Sequence, residues 1–250
     1  MPDGGAAPGC GKWLKLETSM AIRKLSTVSL SVDRSPWAYD QANRAKIEKS
    51  WNRAVQENPT LHNGDVFMLT KWQFAGDTLS GTVQPASFAG FLYWREQGYP
   101  ETGARNCFGS SVLQSKEGHL LFGRMAPHTA TSGLVYPVGG SLSSEDVHDD
   151  RLEIECNIAR ELQEETGLKP DDAMREEGYI CVEEGPRISL AARFIFDCDS
   201  KALRQRIKAH LDASDAPELD EVVVFRRRAF ARHHRMPAYA RMLIDHLLTQ

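Results

Sequence analysis

Between residues 66 and 84 the chain alternates apolar and polar positions in two runs, "VFMLTKWQF" (66–74) and "TLSGTVQ" (78–84), separated by "AGD". Successive side chains of a strand point to opposite faces, so each run predicts a half-buried strand and the pair a hairpin. Ahead of them "STVSLSV" (26–32) predicts a short strand, and Ala45, Ile47, Trp51, Ala54 and Val55 form a helical stripe over about 41–57. "NPTLHNGD" (58–65), rich in turn formers, stops that helix. A short aromatic helix follows at 86–98, with Phe88, Phe91, Leu92 and Trp94 as candidate core. Residues 21–105 are therefore expected to form a small α/β N-terminal unit.

From Asn106 the pattern changes. "CFGSSVLQ", a turn at "SKEG" and "HLLFGR" predict a second hairpin, and "GLVYPV" (133–138) a strand running into Gly139 and Gly140. More strands are expected in "GYICVEE", "ISLAARFIFDC" and "EVVVF" (221–225), with helices around 160–168, 201–211 and 237–248. Strands and helices mix without regular βαβ alternation, which favours an α/β/α or α+β sandwich over a doubly wound parallel sheet. Residues 106–250 are expected to form this second domain.

Composition narrows the setting. With 250 residues, 41% hydrophobic and 26% charged, the chain can bury a substantial core. Cys10, Cys107, Cys156, Cys181 and Cys198 are irregularly spaced with no CxxC pair, and are read as reduced thiols of a cytoplasmic protein. No apolar run approaches the roughly 18–20 residues that cross a bilayer, and the opening residues lack a signal-peptide core, so no membrane is expected. The Gly-rich residues 1–20 are expected to be disordered, with Met20 an alternative start. A net charge of −4 argues against a nucleic-acid partner, and an anionic ligand then requires a local cation. The basic run "FRRRAFARHHR" (225–235) is read as a solvated surface or helix end.

Candidate chemistry concentrates in "RELQEETGL" (160–168), which puts Glu161, Glu164 and Glu165 on one helical segment. Like charges three or four apart share a face and cost roughly 0.2–0.5 kcal/mol per pair, so something should compensate them. A hard divalent cation, Mg²⁺ or Mn²⁺, takes oxygen ligands of this kind. The alternative is an exposed helix laced by Arg160–Glu164 and Glu165–Lys169 pairs. Ile158 and Leu162, four apart, would pin the helix to a core and leave Glu161 and Glu165 at the stripe's edge. Gly167 suits a left-handed helix end, and Gly139 and Gly140 let the backbone turn sharply against a ligand.

Here the sequence resembles the Nudix hydrolase superfamily, whose signature is a glycine, five residues, a glutamate, seven residues and then REUXEEXGU, with U aliphatic. "RELQEETGL" meets every specified position of the second half. The first half departs: Gly140 stands 20 positions before Arg160 where the pattern has 14, so six residues are extra. Eight positions before the arginine is Leu152, with Glu153 one residue too close. Glu153 is expected either to support the metal shell or, in a capping box with Asp150 as N-cap, to tie down the helix start. Asp146, His148 and Asp149 in the insertion are read as a solvated loop, with metal binding the alternative.

The resemblance implies a Nudix-type α/β/α sandwich with a mixed sheet, preceded by the small α/β unit. It also implies hydrolysis of a nucleoside diphosphate linked to another group, with Mg²⁺ or Mn²⁺ held by Glu161, Glu164, Glu165 and Glu153. Arg160 would orient the glutamates, and Gly139 and Gly140 would shape the substrate loop. Candidate general bases outside the helix are Glu183, Glu184, Glu218 and Glu221. Order and spacing over about residues 40–170 further resemble a subgroup that includes UDP-sugar pyrophosphatases, whose products would be UMP and a sugar 1-phosphate. On that reading Phe88 or Tyr93 would stack on a base and Arg124 or Arg187 would contact phosphate. A non-catalytic nucleotide-binding regulatory module is the alternative, and the resemblance leaves a homodimer open.

Overall fold

The computed structural model describes residues 20–248. The expected disorder of residues 1–20 therefore lies, Met20 apart, outside the described residues, as does Cys10. Strands β1 (Met20–Leu25) and β2 (Thr27–Val32) lead into helix α1 (Ala38–Glu57). The expected hairpin β3 (Asp65–Ala75) and β4 (Thr78–Ser87) follows, then α2 (Phe88–Glu96). The second half opens with β5 (Asn106–Ser115) and β6 (Leu120–Met125); short strands β7 (Val135–Tyr136), β8 (Val147–His148) and β9 (Arg151–Leu152) precede α3 (Ile154–Thr166). After β10 (Met174–Arg175) come β11 (Tyr179–Glu184), β12 (Arg187–Phe196), α4 (Ser200–Ala213), β13 (Leu219–Phe225) and α5 (Ala238–Leu247).

The larger sheet runs β1-β11-β12-β5-β6-β13, with β7 on β6 and β10 on β12. It is mixed: β12 and β5 are parallel, and the other pairs antiparallel. The pleat sorts its side chains. On one face Leu113, Leu190 and Phe194 join Ile154, Ile158 and Leu162 of α3 and Leu203 and Ile207 of α4 in one core. On the other, Phe108, Val112, Phe122 and Val182 pack on Tyr239, Leu243 and Ile244 of α5. This is the α/β/α sandwich with a mixed sheet anticipated above.

A second sheet, ordered β3-β4-β2-β9-β8, lies beside it. Alternation along β3 sends Val66 and Met68 to a cluster with Trp37, Phe91 and Trp94, while Phe67 and Leu69 enter the main core with Leu30, Leu79 and Val83. The smaller sheet thus carries its own helices on one face and leans on the core of the larger sheet with the other. The two sheets also exchange strands. β1 pairs antiparallel with β11, from Met20 opposite Glu184 to Leu25 opposite Tyr179, and β9 pairs with β2 through Leu152 and Leu30.

The strand expected over 133–138 shortens to β7, because Pro137 has no N–H to donate and Gly139 turns the chain. Leu69 is fully buried in the core that joins the two sheets. Leu69→Ala is expected to cost about 2–5 kcal/mol, read as a lower urea midpoint with one cooperative transition retained.

Candidate functional site

Helix α3 is built to hold carboxylates against a loop. Ile158 and Leu162 are fully buried, and the helix ends at Gly167, whose φ of 69° lets its N–H return to the Gln163 carbonyl. This packing faces Glu161 and Glu165 toward residues 139–140. At Gly139, φ is 152° and a Cβ would stand 2.3 Å from the Gly109 carbonyl oxygen; at Gly140 a Cβ would stand 2.5 Å from the Glu161 carboxylate. The loop therefore lies against the helix with no room for side chains, and the Gly139 N–H donates to Glu165 Oε2 at 3.1 Å.

A buried polar network fixes that approach. Asp146 is 0% exposed and its Oδ2 accepts from the Ser143 N–H at 2.9 Å and from Asn157 Nδ2 at 3.0 Å. Arg160 reaches the same carboxylate with Nε and Nη2, both at 3.3 Å, while its Nη1 lies 2.9 Å from Glu161 and 3.0 Å from Glu164. Asn157 also donates to the Ser141 carbonyl and accepts from the Gly109 N–H, each at 3.1 Å, so one side chain joins α3, the glycine loop and β5.

This corrects three expectations. Asp146, read as part of a solvated loop, is the buried partner of Arg160; counted forward from Gly140, five residues and then an acid fall on it. The six extra residues come after it, as the β8–β9 hairpin over 147–152, whose turn residues Asp149 and Asp150 have φ of 48° and 59°, the pattern of a two-residue type I′ turn. Asp150 is thus a turn residue and not the N-cap of α3. That place belongs to Glu153, whose side chain makes no cap bond, is 47% exposed and stands 3.6 Å from Arg151, away from the cleft. His148 and Asp149 are exposed as expected. Counting the signature from its glycine end as well as from Arg160 was the signal that could have found Asp146.

A cleft of about 1070 Å³ opens in front of the glycine loop. Gly139, Gly140, Arg160, Glu161 and Glu165 line it, and so do Phe88 and Arg187. Glu164 lies outside the cleft wall, 57% exposed, paired with Arg160. Arg124, expected to contact phosphate, is instead paired with Asp220 at 2.7 Å and Glu221 at 2.6 Å and does not itself line the cleft. Tyr93 stacks on Tyr39 and does not line it. Of the four candidate bases only Glu218 lines it. Glu183 pairs with Arg23, Glu184 with Arg187, and Glu221 with Arg124 and Arg204. Arg95, Tyr99, Tyr136 and Tyr239, which no motif singled out, complete the wall.

The electrostatics are those of crowded acids. Burial pushes the Glu161 carboxyl up to about 7, with Glu164 and Glu218 adding to the shift against the opposing Arg160. Burial raises Glu165 further, helped by Glu161 and Glu218. Glu218 is solvent-exposed at the cleft wall, yet the surrounding protein and the Glu164 charge raise it too. Among the described residues no three His, Cys, Asp or Glu side chains stand in ligating geometry around one point. The donor chemistry nonetheless fits a hard dication: Glu161 and Glu165 are two largely buried carboxylates on one helix face, Glu161 paired with Arg160 and Glu165 accepting from the Gly139 N–H. Glu161, Glu165 and, after a rotation away from Arg160, Glu164 are the residues that could hold it.

The raised Glu161 value has a stability consequence. The folded metal-free protein holds that proton more tightly than the unfolded chain does, so this stabilisation is complete below the ordinary value of 4.5 and lost as pH rises to about 7. In chelator the thermal midpoint is expected to fall across that interval, each kcal/mol being about 2–4 °C. Glu161→Gln should flatten the profile, measured by thermal denaturation in a pH series.

No protein-family model matches the sequence, and no curated protein matches it. Among solved structures, the chain is similar to the MutT protein from Methanosarcina mazei Go1, at 17% identity over 57% of this chain and 92% of that one, with a TM-score of 0.38. It is also similar to DR0079 from Deinococcus radiodurans, at 11% identity over 58% and 84%, TM-score 0.41. A third likeness is to the E. coli ORF135 protein, at 15% identity over 56% and 88%, TM-score 0.32. At this distance the functional reading rests on the site's own geometry.

Proposed function

We propose that the protein is a Nudix-type hydrolase that cleaves the diphosphate of a nucleoside diphosphate linked to another moiety, with Mg²⁺ or Mn²⁺ as cofactor. The observation that carries this reading is the pair of buried glutamates of α3, Glu161 and Glu165, held against Gly139 and Gly140 at the wall of an arginine- and aromatic-lined cleft. Within that class a UDP-sugar, giving UMP and a sugar 1-phosphate, is the substrate that the element order and spacing favour.

Bound divalent cations would neutralise the diphosphate and lower the pKa of a water molecule. The chain's own residues supply the rest. Glu161 and Glu165, with Glu164 once turned away from Arg160, would hold the cation, and Arg160, locked on Asp146, holds Glu161 in orientation. The bare backbone of Gly139 and Gly140 lets phosphate oxygens approach the helix. Arg187 contacts phosphate and Phe88 packs against the base. Glu218, whose carboxyl is shifted upward, accepts the proton from the attacking water at a carboxylate oxygen. Water oxygen bonds to one phosphorus, that phosphorus loses its bond to the bridging oxygen, and a phosphate monoester leaves.

The alternative of a non-catalytic nucleotide-binding module rested on the displaced upstream acid. Asp146 in ion-pair contact with Arg160 removes that motive.

The test is product analysis with UDP-glucose, ADP-ribose and NADH, each with Mg²⁺, with Mn²⁺ and with chelator. Metal-dependent release of a nucleoside monophosphate is expected, abolished in Glu165→Gln. Glu218→Gln should lower kcat by about 10²–10⁴-fold, the scale of a lost general base, with KM little changed. Metal-dependent binding of a compound that is never turned over would overturn the hydrolase in favour of the binding module. In the same assay Arg124→Ala should leave kcat/KM near wild type, because Arg124 does not line the cleft and is already paired with Asp220 and Glu221.

A further inference from the structure

Besides Arg160 and Arg187, the cleft wall contains Arg95, which no carboxylate among the described residues neutralises. Arg95 sits in the last turn of α2, partly buried, with its side chain in the cleft wall. Its Nη2 donates to the Ala130 carbonyl at 3.2 Å, and the Phe91 ring lies 6.0 Å from its guanidinium carbon. Among the described residues no carboxylate stands within ion-pairing distance of it, whereas Arg187 has Glu184 at 3.1 Å and the Tyr99 hydroxyl at 2.9 Å. A basic residue in a last helical turn often caps its own helix. Arg95 does not, because its hydrogen bond goes to the loop at residue 130.

A guanidinium has five N–H donors in a planar fork, and removing it from water without an anion is costly. Burial depresses the Arg95 pKa, and the nearby Arg187 charge works in the same direction against Tyr99 and Tyr136. Arg95, Tyr136, Glu161, Glu165 and Glu218 all line the same cleft. The cleft thus holds the acids of the candidate site and a guanidinium with no ion-pair partner among the described residues.

We propose that Arg95 is a specificity-determining residue that takes an oxyanion of the substrate, a phosphate or a carboxylate, in the cleft that Glu161 and Glu165 of α3 also line. The proposal rests on the hydrolase reading for the identity of the substrate, but not for the existence of the anion site. It gives the N-terminal unit a direct part in selection, since α2 belongs to that unit. The oxyanion has two sources: the diphosphate itself, or an acidic group on the moiety attached to it.

Isothermal titration of inorganic pyrophosphate into the full chain, in chelator, reads the site without metal or turnover. Wild type is expected to bind and Arg95→Gln to bind at least tenfold more weakly, with Arg95→Lys between them and Arg124→Gln like wild type. Equal affinity in wild type and Arg95→Gln, or no binding by wild type, would overturn the proposal. Thermal midpoints establish that the variants fold; should Arg95→Gln fail to fold, Arg95→Lys, which keeps the charge and loses the fork, supplies the comparison. With UDP-glucose and UDP-glucuronate as substrates, Arg95→Gln should raise KM for the glucuronate alone if the attached moiety carries the oxyanion, and for both if the diphosphate does, with kcat near wild type. Unchanged KM for both would overturn the proposal. Pyrophosphate binding by a protein that hydrolyses neither these compounds nor ADP-ribose or NADH would sink the hydrolase reading and leave the anion site standing.

Discussion

The ion pair between Arg160 and the fully buried Asp146 is the contact on which the site depends. It ties the end of the glycine loop to the middle of α3. Removing one partner of such a pair strands the other charge out of water, at a typical cost of about 3–5 kcal/mol. The remaining Asp146 valences go to Asn157 and to the Ser143 N–H, so the carboxylate is satisfied as well as paired. With Arg160 anchored this way, its outer nitrogen is free to hold Glu161 and Glu164.

The same contact explains why six extra residues do no harm between the loop and the helix. The Glu153 N–H donates to the Asp146 carbonyl at 2.9 Å, and Val147 pairs with Leu152, so the chain leaves and returns at one point. A hairpin can be inserted there without moving either end. Its second strand, β9, then pairs with β2, which turns a surface insertion into an extension of the smaller sheet. The cleft inherits walls from both halves: acidic residues and glycines from the larger one, Phe88 and Arg95 from the smaller.

Much of this was legible in the sequence. The β3–β4 hairpin, α1, α4 and α5 follow from alternation and helical stripes, and α3 from its motif, because in each the side chains repeat the period of the backbone. The three glutamates and Arg160 were legible from spacing, and the pinning of α3 by Ile158 and Leu162 from their separation by four. β1 was not, because "MAIRKL" is half-exposed and abuts the Gly-rich opening, and only its partner β11 makes it a strand. Asp146 was hidden because its burial depends on Arg160 and Asn157, which arrive from a helix beyond the insertion. Arg95 and Tyr136 carry no local pattern at all; their significance comes from a cleft that exists only once both sheets are assembled.

The exchange of strands between the sheets bears on how the chain emerges from a ribosome. The smaller sheet cannot complete itself when residues 20–105 have been made, since β9 and β8 are supplied by residues 147–152. β1, synthesised before any other described strand, has no partner until β11 arrives at residues 179–184. Pairings of such long sequence separation are slow to form, and unpaired edges exposed meanwhile invite wrong partners. Vectorial synthesis therefore leaves β1 waiting through most of translation, and the cleft, whose walls come from both halves of the chain, is completed late.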